Sequence, residues 1–411
     1  MHTFDGIFTR LIFPVLLLLS AFVFLACDDG ALVGSRLSPD DIQVNADTVL
    51  LDDLSIVSTP AYSGNRTYIT AGEVEDPVFG TFKTTALFRP SSTPEVGSDS
   101  LVEHATLVLS LNVESIYGPA GASADFNIVE IENRDPRWRG SSWRYDSIPD
   151  LTGNIIGSFT VTDSDSLNIA LDEDWARKYR DVLLETSSEA RDSMFRADIP
   201  GLAIVKASSG DKMFSVEANR ARFVFIEERA GTGNGENGEE EFQHLVKGLS
   251  TWAVTLESEL LDEASWAPGM LINNTRTRML EIDIPFTEEF LGTDNFSRVE
   301  LVLYEDPQAS PPSGFLRPRS ETMRLFYLDP EDLHYAITAE PRLQVNQREE
   351  DGSYRVNITN LVNERLHLSS STNKLYAVVG SNDGRILPVV LNGPGASGRQ
   401  PKLLITGVSK E

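Results

Sequence analysis

The sequence contains a single cysteine, Cys27, among 411 residues. One thiol cannot form an internal disulfide and cannot build a multi-thiolate metal site, so both are excluded. Basic residues are scarce as well, since 35 Lys and Arg stand against 62 Asp and Glu, which gives a net charge of −27. A chain this acidic repels phosphate backbones, so we expect no nucleic-acid partner.

The longest apolar run covers residues 11–26 and follows Arg10. As a helix it would reach about 24 Å at about 1.5 Å per residue, short of the roughly 30 Å hydrocarbon core of a membrane. A short run in this place is typical of a secretory leader, which we predict over residues 1–26. The alternative is a membrane anchor that ends in a buried Cys27.

The end of this run, Phe24-Leu25-Ala26-Cys27, resembles the bacterial lipobox, in which a peptidase cleaves before a lipidated cysteine. Ala26 fits that pattern, whereas Phe24 and Leu25 replace the usual leucine and small residue. Lipidation would attach Cys27 to the membrane through two or more acyl chains, which is enough for stable anchoring. Residues 27–45 show no strong periodicity and are predicted to form a tether.

Two acidic residues, Asp28 and Asp29, follow the cysteine. Acidic residues in this place resemble the surface-export signal of Bacteroidota-type lipoproteins. In other Gram-negative groups an aspartate there favours retention in the inner membrane instead. We expect an outer-membrane lipoprotein of the cell envelope that is exposed at the cell surface.

Beyond the tether, short runs of β-branched and aromatic residues alternate with Gly, Pro, Asn, Asp and Ser. This pattern predicts a mostly β protein built of antiparallel β-sandwich, jelly-roll-like domains. One helical stripe stands out, over residues 172–185, where Trp175, Tyr179, Val182 and Leu183 share a face. We therefore expect one short helix in the first domain.

The chain also shows an internal repeat, because four short strings recur in the same order at offsets of 174 to 194 residues. The paired strings are 107–109 with 301–303, 167–169 with 356–358, 203–205 with 377–379, and 221–223 with 401–403. A duplicated unit is therefore predicted, with domains at 46–228 and 247–408. The Gly/Glu-rich stretch at 229–246 cannot order itself by burial, so it is either a linker or a long exposed loop of the first domain.

Three strings, Asp47-Thr48-Val49, Tyr68-Ile69-Thr70-Ala71-Gly72 and Glu75-Asp76-Pro77-Val78-Phe79-Gly80, resemble a Bacteroidota envelope lipoprotein family of unknown function. The family carries "dTv", "yLlG" and "DPxFG" motifs after its lipidated cysteine, and no catalytic residues come with it. The last string also predicts a folding device, with Asp76 capping a turn, Phe79 in the core and Gly80 at positive φ. The repeats more weakly resemble polysaccharide-binding β-sandwich modules.

Signs of catalytic or metal chemistry are few. The histidines at 104, 244, 334 and 367 have no metal-ligand spacing, and no Gly-x-Ser-x-Gly elbow is present. The stretch Asp172-Glu173-Asp174 could offer oxygen ligands to Ca²⁺, but no twelve-residue Ca²⁺ loop surrounds it, so a solvated surface is favoured. The string at 380–384 is predicted to be a hairpin turn. We expect no catalytic residues, no metal and no cofactor.

One segment departs from the acidic background, because four arginines and three aromatics fall within residues 134–145. Guanidinium groups suit carboxylates or sulfates, and aromatic faces suit sugar rings. The candidate glycan-binding residues are Arg137, Trp138, Arg139, Trp143 and Arg144. The alternative is that the two tryptophans are core anchors with arginine stems lying over them.

These observations favour a non-enzymatic, lipid-anchored envelope protein, held at the membrane through Cys27. It would bind an acidic polysaccharide or an envelope protein, or serve a structural role at the cell surface. The alternative hypothesis is a surface polysaccharide-degrading enzyme, a hydrolase or a lyase.

Overall fold

A computed structural model describes residues 42–93, 106–131, 143–163, 166–207, 210–230, 239–261, 269–284, 296–326, 342–368 and 373–410. The fold is mostly antiparallel β-sheet with few helices, which confirms the predicted fold class. Within these ranges, no helix has the length and apolar character needed to cross a membrane. Cys27 and the predicted leader lie outside the described residues.

The strands fall into two successive sets. The first set is β1 (Ile42–Leu50), β2 (Leu54–Ser58), β3 (Tyr68–Asp76), β4 (Gly80–Pro90), β5 (Thr106–Pro119), β6 (Ala124–Glu130), β7 (Ile155–Val161), β8 (Ser166–Ala170), β9 (Leu202–Lys206), β10 (Lys212–Glu217) and β11 (Arg222–Ala230). The second set is β12 (Glu239–Lys247), β13 (Leu249–Leu260), β14 (Gly269–Asn273), β15 (Arg278–Asp283), β16 (Phe296–Tyr304), β17 (Phe315–Leu316), β18 (Thr322–Phe326), β19 (Arg342–Gln347), β20 (Ser353–Asn357), β21 (Lys374–Val379), β22 (Pro388–Asn392) and β23 (Lys402–Lys410). We call these sets the first and second repeat.

The predicted helix is present as α1 (Glu173–Leu184), which begins after Asp172, whose carboxylate accepts a hydrogen bond from the Trp175 backbone N–H at 3.0 Å. Its predicted apolar face is buried. The prediction of a single helix was incomplete, since α2 (Ser188–Asp198) follows it and α3 (Thr359–Leu368) lies in the second repeat. Helix α2 was missed because Phe195 is its one buried residue, so no apolar stripe marks it.

The two repeats pair their strands in the same order. Strand β5 pairs with β11 and β8, as β16 pairs with β23 and β20. Strand β9 pairs with β4 and β6, as β21 pairs with β15 and β18. The four string pairs found in the sequence overlap β5 and β16, β8 and β20, β9 and β21, and β11 and β23. The duplication is therefore present in the fold, with the strand crossings of a jelly roll.

The repeats exchange their first two strands. Strands β1 and β2 pair with β23 and β15 of the second repeat, while β12 and β13 pair with β11 and β4 of the first. We call the sandwich of β3–β13 the first unit, and the sandwich of β1, β2 and β14–β23 the second unit. Each unit is thus completed by two strands from the other repeat.

This exchange corrects the predicted domain boundaries. Residues 42–58 belong to the second unit rather than to the tether and first domain, and residues 239–260 belong to the first unit. The predicted linker at 229–246 is in part paired strand, since β11 extends to Ala230 and pairs with β12 from Glu239 onward, while residues 231–238 lie outside the described residues. Strand β12 lies at the edge of its sheet.

Each unit has its own apolar core, and a third apolar cluster joins the two units. In this cluster Phe79, Phe82 and Tyr117 of the first unit pack with Leu271 and Val390 of the second. Strand β17 of the second repeat also pairs with the end of β5. The contact between the units therefore includes both side chains and backbone.

The predicted folding device at Asp76 is confirmed. The Asp76 Oδ1 atom accepts hydrogen bonds from the backbone N–H groups of Val78 at 2.8 Å and Phe79 at 3.1 Å. Phe79 is buried, and Gly80 has a φ of +98°. The sequence did not reveal that this turn also receives Arg317 from the second unit, at 2.8 Å from Nε to Oδ2 and 2.7 Å from Nη2 to Oδ1.

The hairpin predicted at 380–384 is wrong. Strands β21 and β22 on either side of it pair with different neighbours, so the segment is a loop between two sheets. It packs against the first unit, where the Tyr145 hydroxyl donates to Asn382 Oδ1 at 2.7 Å. The Tyr68 N–H donates to the Asp383 carbonyl at 2.7 Å, and the Thr70 hydroxyl donates to the Gly384 carbonyl at 2.8 Å.

Candidate functional site

The predicted glycan-binding segment is placed only in part. Arg137, Trp138 and Arg139 lie outside the described residues. Trp143 is 5% exposed and packs in an apolar cluster with residues of β4, β6, β9 and β13. Its ring faces are therefore covered by protein, which for this residue agrees with the core-anchor alternative and not with sugar stacking.

Arg144 is half-exposed and pairs with Asp146, with 2.9 Å between Nε and Oδ1. This hydrogen bond is the main cause that raises the pKa of the Arg144 guanidinium. The guanidinium is thus already engaged by a carboxylate of its own loop. In the described part of the segment, Trp143 is therefore covered, and the half-exposed Arg144 is paired with Asp146.

A cleft of about 580 Å³ lies elsewhere on the first unit, at the beginning of α1. It is a polar cleft between that helix and the neighbouring ends of β6 and β7. Its lining residues are Glu130, Asn154, Ile155, Ile156, Asp172, Asp174, Trp175, Arg177, Lys178 and Asp181. Ligand sites in proteins commonly have volumes of about 300–1,000 Å³, so this cleft is large enough to hold a small ligand.

Backbone hydrogen bonds fix the walls of the cleft. The Asp172 N–H donates to the Ile156 carbonyl at 2.7 Å, which ties the start of α1 to β7. The Glu130 N–H donates to the Asn154 carbonyl at 2.9 Å, which ties the end of β6 to the start of β7. A bulge between Ile128 and Val129 shifts the register just before this point. Such bulges re-aim side chains, and here one precedes the residues that line the cleft.

Carboxylates dominate the charge of the cleft, because four line it against two cations. Arg177 is held by its own helix, with Nη1 at 2.8 Å from Asp174 Oδ1 and Nη2 at 3.2 Å from Glu173 Oε1. Lys178 is about half exposed, with Nζ at 4.0 Å from Glu130 Oε1. The cleft is therefore net negative, which favours hydroxyl or ammonium groups and opposes a polyanion.

The apolar part of the cleft is aliphatic rather than aromatic. Trp175 is 1% exposed, and its ring lies 5.6 Å from Tyr179 and 6.1 Å from Phe223, inside the first core. Ile155, in contrast, is 58% exposed at the start of β7. The cleft can therefore offer hydrogen-bonding carboxylates and an amide beside one exposed aliphatic side chain.

Sequence reasoning did not find this cleft. It singled out the acidic first turn of α1 as a Ca²⁺ alternative, but nothing in the sequence links that turn to Glu130 or Asn154. Across the ranges given above, no group of three or more His, Cys, Asp and Glu residues is arranged to hold a metal ion.

Comparisons with known proteins leave the chain without a family. No family model matches the sequence, and no curated protein matches it. A crystal structure of a putative secreted protein from Parabacteroides distasonis, a Bacteroidota species, is 10% identical, with 87% of this chain and 99% of that chain covered at a TM-score of 0.18. The Faustovirus major capsid protein is 9% identical, with 94% and 93% covered at a TM-score of 0.10. Neither likeness is close enough to transfer a fold or a function.

Proposed function

We propose that the protein is a non-enzymatic cell-envelope lipoprotein, anchored through Cys27, that binds a saccharide in the cleft beside α1. The anchor is supported by the sequence, in which the only cysteine directly follows a short apolar leader. The saccharide is supported by the cleft, whose volume and polar lining suit a ligand rich in hydroxyl groups. The net negative charge of the cleft favours a neutral or amino sugar over the acidic polysaccharide suggested by the arginine-rich segment.

The lining of the cleft carries this proposal. Carboxylate oxygens accept hydrogen bonds from hydroxyl groups, and the Asn154 amide both donates and accepts. Ile155 provides an exposed apolar contact for the C–H face of a sugar ring. Hydrogen bonds to a charged partner are stronger than neutral ones, so these carboxylates would add to the affinity for a ligand rich in hydroxyl groups.

Lipidation predicts a defined N-terminus in the mature protein. We expect mass spectrometry of the membrane fraction to show a peptide that begins at Cys27 and carries two or more acyl chains. Replacing Cys27 by serine should block both acylation and cleavage, so we expect this variant to keep residues 1–26 and to carry no acyl chains. An unacylated peptide that begins at Met1 in the purified protein would contradict the anchoring.

Saccharide binding is tested on a glycan array that includes neutral, amino and acidic oligosaccharides. We expect binding without release of products, and an affinity at least about tenfold weaker in the double variant Asn154→Ala/Asp174→Ala, which corresponds to about 1.4 kcal/mol. Asp174 is exposed and Asp172, the residue that caps α1, is left intact, so the variant keeps its fold.

The matched control is Glu350→Ala, which removes an exposed carboxylate from the second unit and should leave binding unchanged. Equal affinity in the cleft variant and the wild type would contradict the cleft as the site. Oligosaccharides released from a polysaccharide would favour the alternative of a surface hydrolase or lyase. Binding restricted to acidic glycans would favour the arginine-rich segment at 134–145 as the binding site instead of the cleft.

A further inference from the structure

The second strand of the N-terminal arm, which we define as β1 and β2 (Ile42–Ser58), is less buried than its counterpart β13 in the other repeat. Residues 46–48 are exposed, and Leu50 is 47% exposed. In strand β2, Leu54, Ile56 and Val57 are half-buried and Ser55 and Ser58 are exposed. In the equivalent β13, Ala253, Val254 and Thr255 are buried. The arm is bound by backbone pairing, with β23 along its whole first strand and with β15 along its second. It is also bound by Leu51, which is buried in the core of the second unit, where Val49, Leu54 and Ile56 pack against it.

The arm crosses from one unit to the other within a few residues. The Thr59 hydroxyl donates to the Arg276 carbonyl in the second unit at 2.6 Å, while Ala61 lies in the core of the first unit. Ser63 then donates its N–H to the Trp143 carbonyl at 2.8 Å. Pro60, which is exposed, lies between these attachments. A change in backbone direction near Pro60 would turn the arm away from its own second unit.

The duplication shows that this fold accepts an arm from another repeat. In both units the first two strands come from the other repeat, and the pairing is equivalent. An arm from a second copy would make the same contacts as the arm in place, so the exchange conserves the pairing energy and changes only the hinge. The two exchanged segments differ in how the chain continues from them. The segment of β12 and β13 is followed and preceded in the chain by described strands, β14 and β11. The N-terminal arm is linked along the chain to the rest of the described fold only at its end, through Pro60.

We propose that the N-terminal arm is exchanged between copies, so that the arm of one chain completes the second unit of another. The partner is a second copy of this chain, and the product is a strand-exchanged oligomer. Because the anchor proposed at Cys27 precedes β1 in the sequence, each exchanged copy would stay attached to the membrane while its arm lies in a neighbour, and this step rests on the proposed function. Copies confined to one membrane surface would meet at a high effective concentration, which favours the exchange.

Disulfide trapping across β1 and β23 tests this proposal. The chain from Asp28 onward contains every described residue and no cysteine, so the pair Ala46→Cys/Thr406→Cys, at facing positions, reports only on this contact. After incubation in mild denaturant at low and high protein concentration, followed by return to native buffer and oxidation, we expect interchain dimers to become the main product at high concentration. The control pair Glu300→Cys/Asn357→Cys faces across β16 and β20 within one repeat and should give intrachain disulfides only.

An intrachain disulfide alone in the Ala46/Thr406 variant at every concentration would overturn the proposal, as would interchain dimers in equal amount from both pairs. If the cysteine variant does not fold, two differently tagged copies of the cysteine-free chain are incubated together in the same way. We expect them to co-purify, and a peptide of residues 42–58 to reduce the co-purified share by competing for β23 and β15. Separate monomers, or a share unaffected by the peptide, would refute the exchange.

Discussion

Replacing Arg317 by methionine is expected to lower the free energy of unfolding by about 3–5 kcal/mol. The Arg317 side chain is 7% exposed and that of Asp76 is fully buried, so the variant leaves a buried carboxylate without its cation. Such a loss is a large part of the roughly 5–15 kcal/mol that stabilises a typical domain. Denaturant unfolding of the wild type and the variant measures it directly.

The groups around the Arg317–Asp76 ion pair cannot compensate for the removal of the guanidinium charge. The guanidinium also lies 4.1 Å from the centre of the Phe79 ring, in a cation–π contact. The Tyr117 hydroxyl donates to Asp76 Oδ2 at 2.7 Å, and burial, reinforced by the Asp76 charge, raises the pKa of this phenol well above its usual range. Tyr117 therefore stays a neutral donor and cannot replace the missing positive charge.

Two variants serve as controls for the Arg317 prediction. Lys83→Ala breaks an exposed pair with Glu257, at 2.9 Å, and should cost less than about 1 kcal/mol because solvent screens it. Arg317→Lys keeps the charge but loses the two-pronged geometry, so we expect an intermediate loss. If Arg317→Met costs no more than Lys83→Ala, the pair does not stabilise the contact between the units.

Replacing Gly384 by alanine is expected to cost more than about 3 kcal/mol, because two independent obstacles coincide there. Gly384 has a φ of +100°, where side chains are strained. An added Cβ would also lie 2.0 Å from the Tyr68 carbonyl oxygen, which belongs to a strand and cannot move alone. The loop would have to leave β3 and lose the hydrogen bonds that Tyr68 and Thr70 make with it.

Gly395 provides the matched control for this prediction. It has a φ of +85°, and an added Cβ would meet nothing within 4 Å. Gly395→Ala should therefore show the backbone strain alone, about 1–2 kcal/mol. Equal losses for the two variants, measured by thermal or denaturant unfolding, would show that the close approach to Tyr68 is not decisive.

Local features of this fold could be predicted from the sequence because each follows from a few neighbouring residues. The buried face of α1 follows from the spacing of four apolar residues, and the turn at Asp76 follows from the preferences of Asp, Pro and Gly. The repeat was visible because equivalent strands keep similar apolar strings. Each of these signals lies within one strand, one turn or one helix.

The features that depend on distant pairing could not be predicted in the same way. The sequence near Asp76 gives no sign of Arg317, which lies 241 residues away. The two repeats exchange β1–β2 and β12–β13, and this exchange depends on which sheet edge each strand reaches. The choice of edge leaves no mark on the sequence of the strand itself. The cleft likewise depends on the meeting of β6, β7 and α1, so its residues are scattered over the chain.

The pairing of β1 with β23 also has a consequence for the order in which the chain can acquire its structure. Strands β3–β13 follow one another, so the first unit can close as soon as β13 has been made. The second unit cannot close until synthesis is nearly complete, because β1 is the first strand to be made and its partner β23 is the last. Contacts between residues so far apart in the sequence form slowly, because the loop between them must be closed at an entropic cost. Until β23 is available, the edge of β1 is unpaired and can pair with other chains. A chaperone that holds the unfolded chain would therefore have its largest effect at β1.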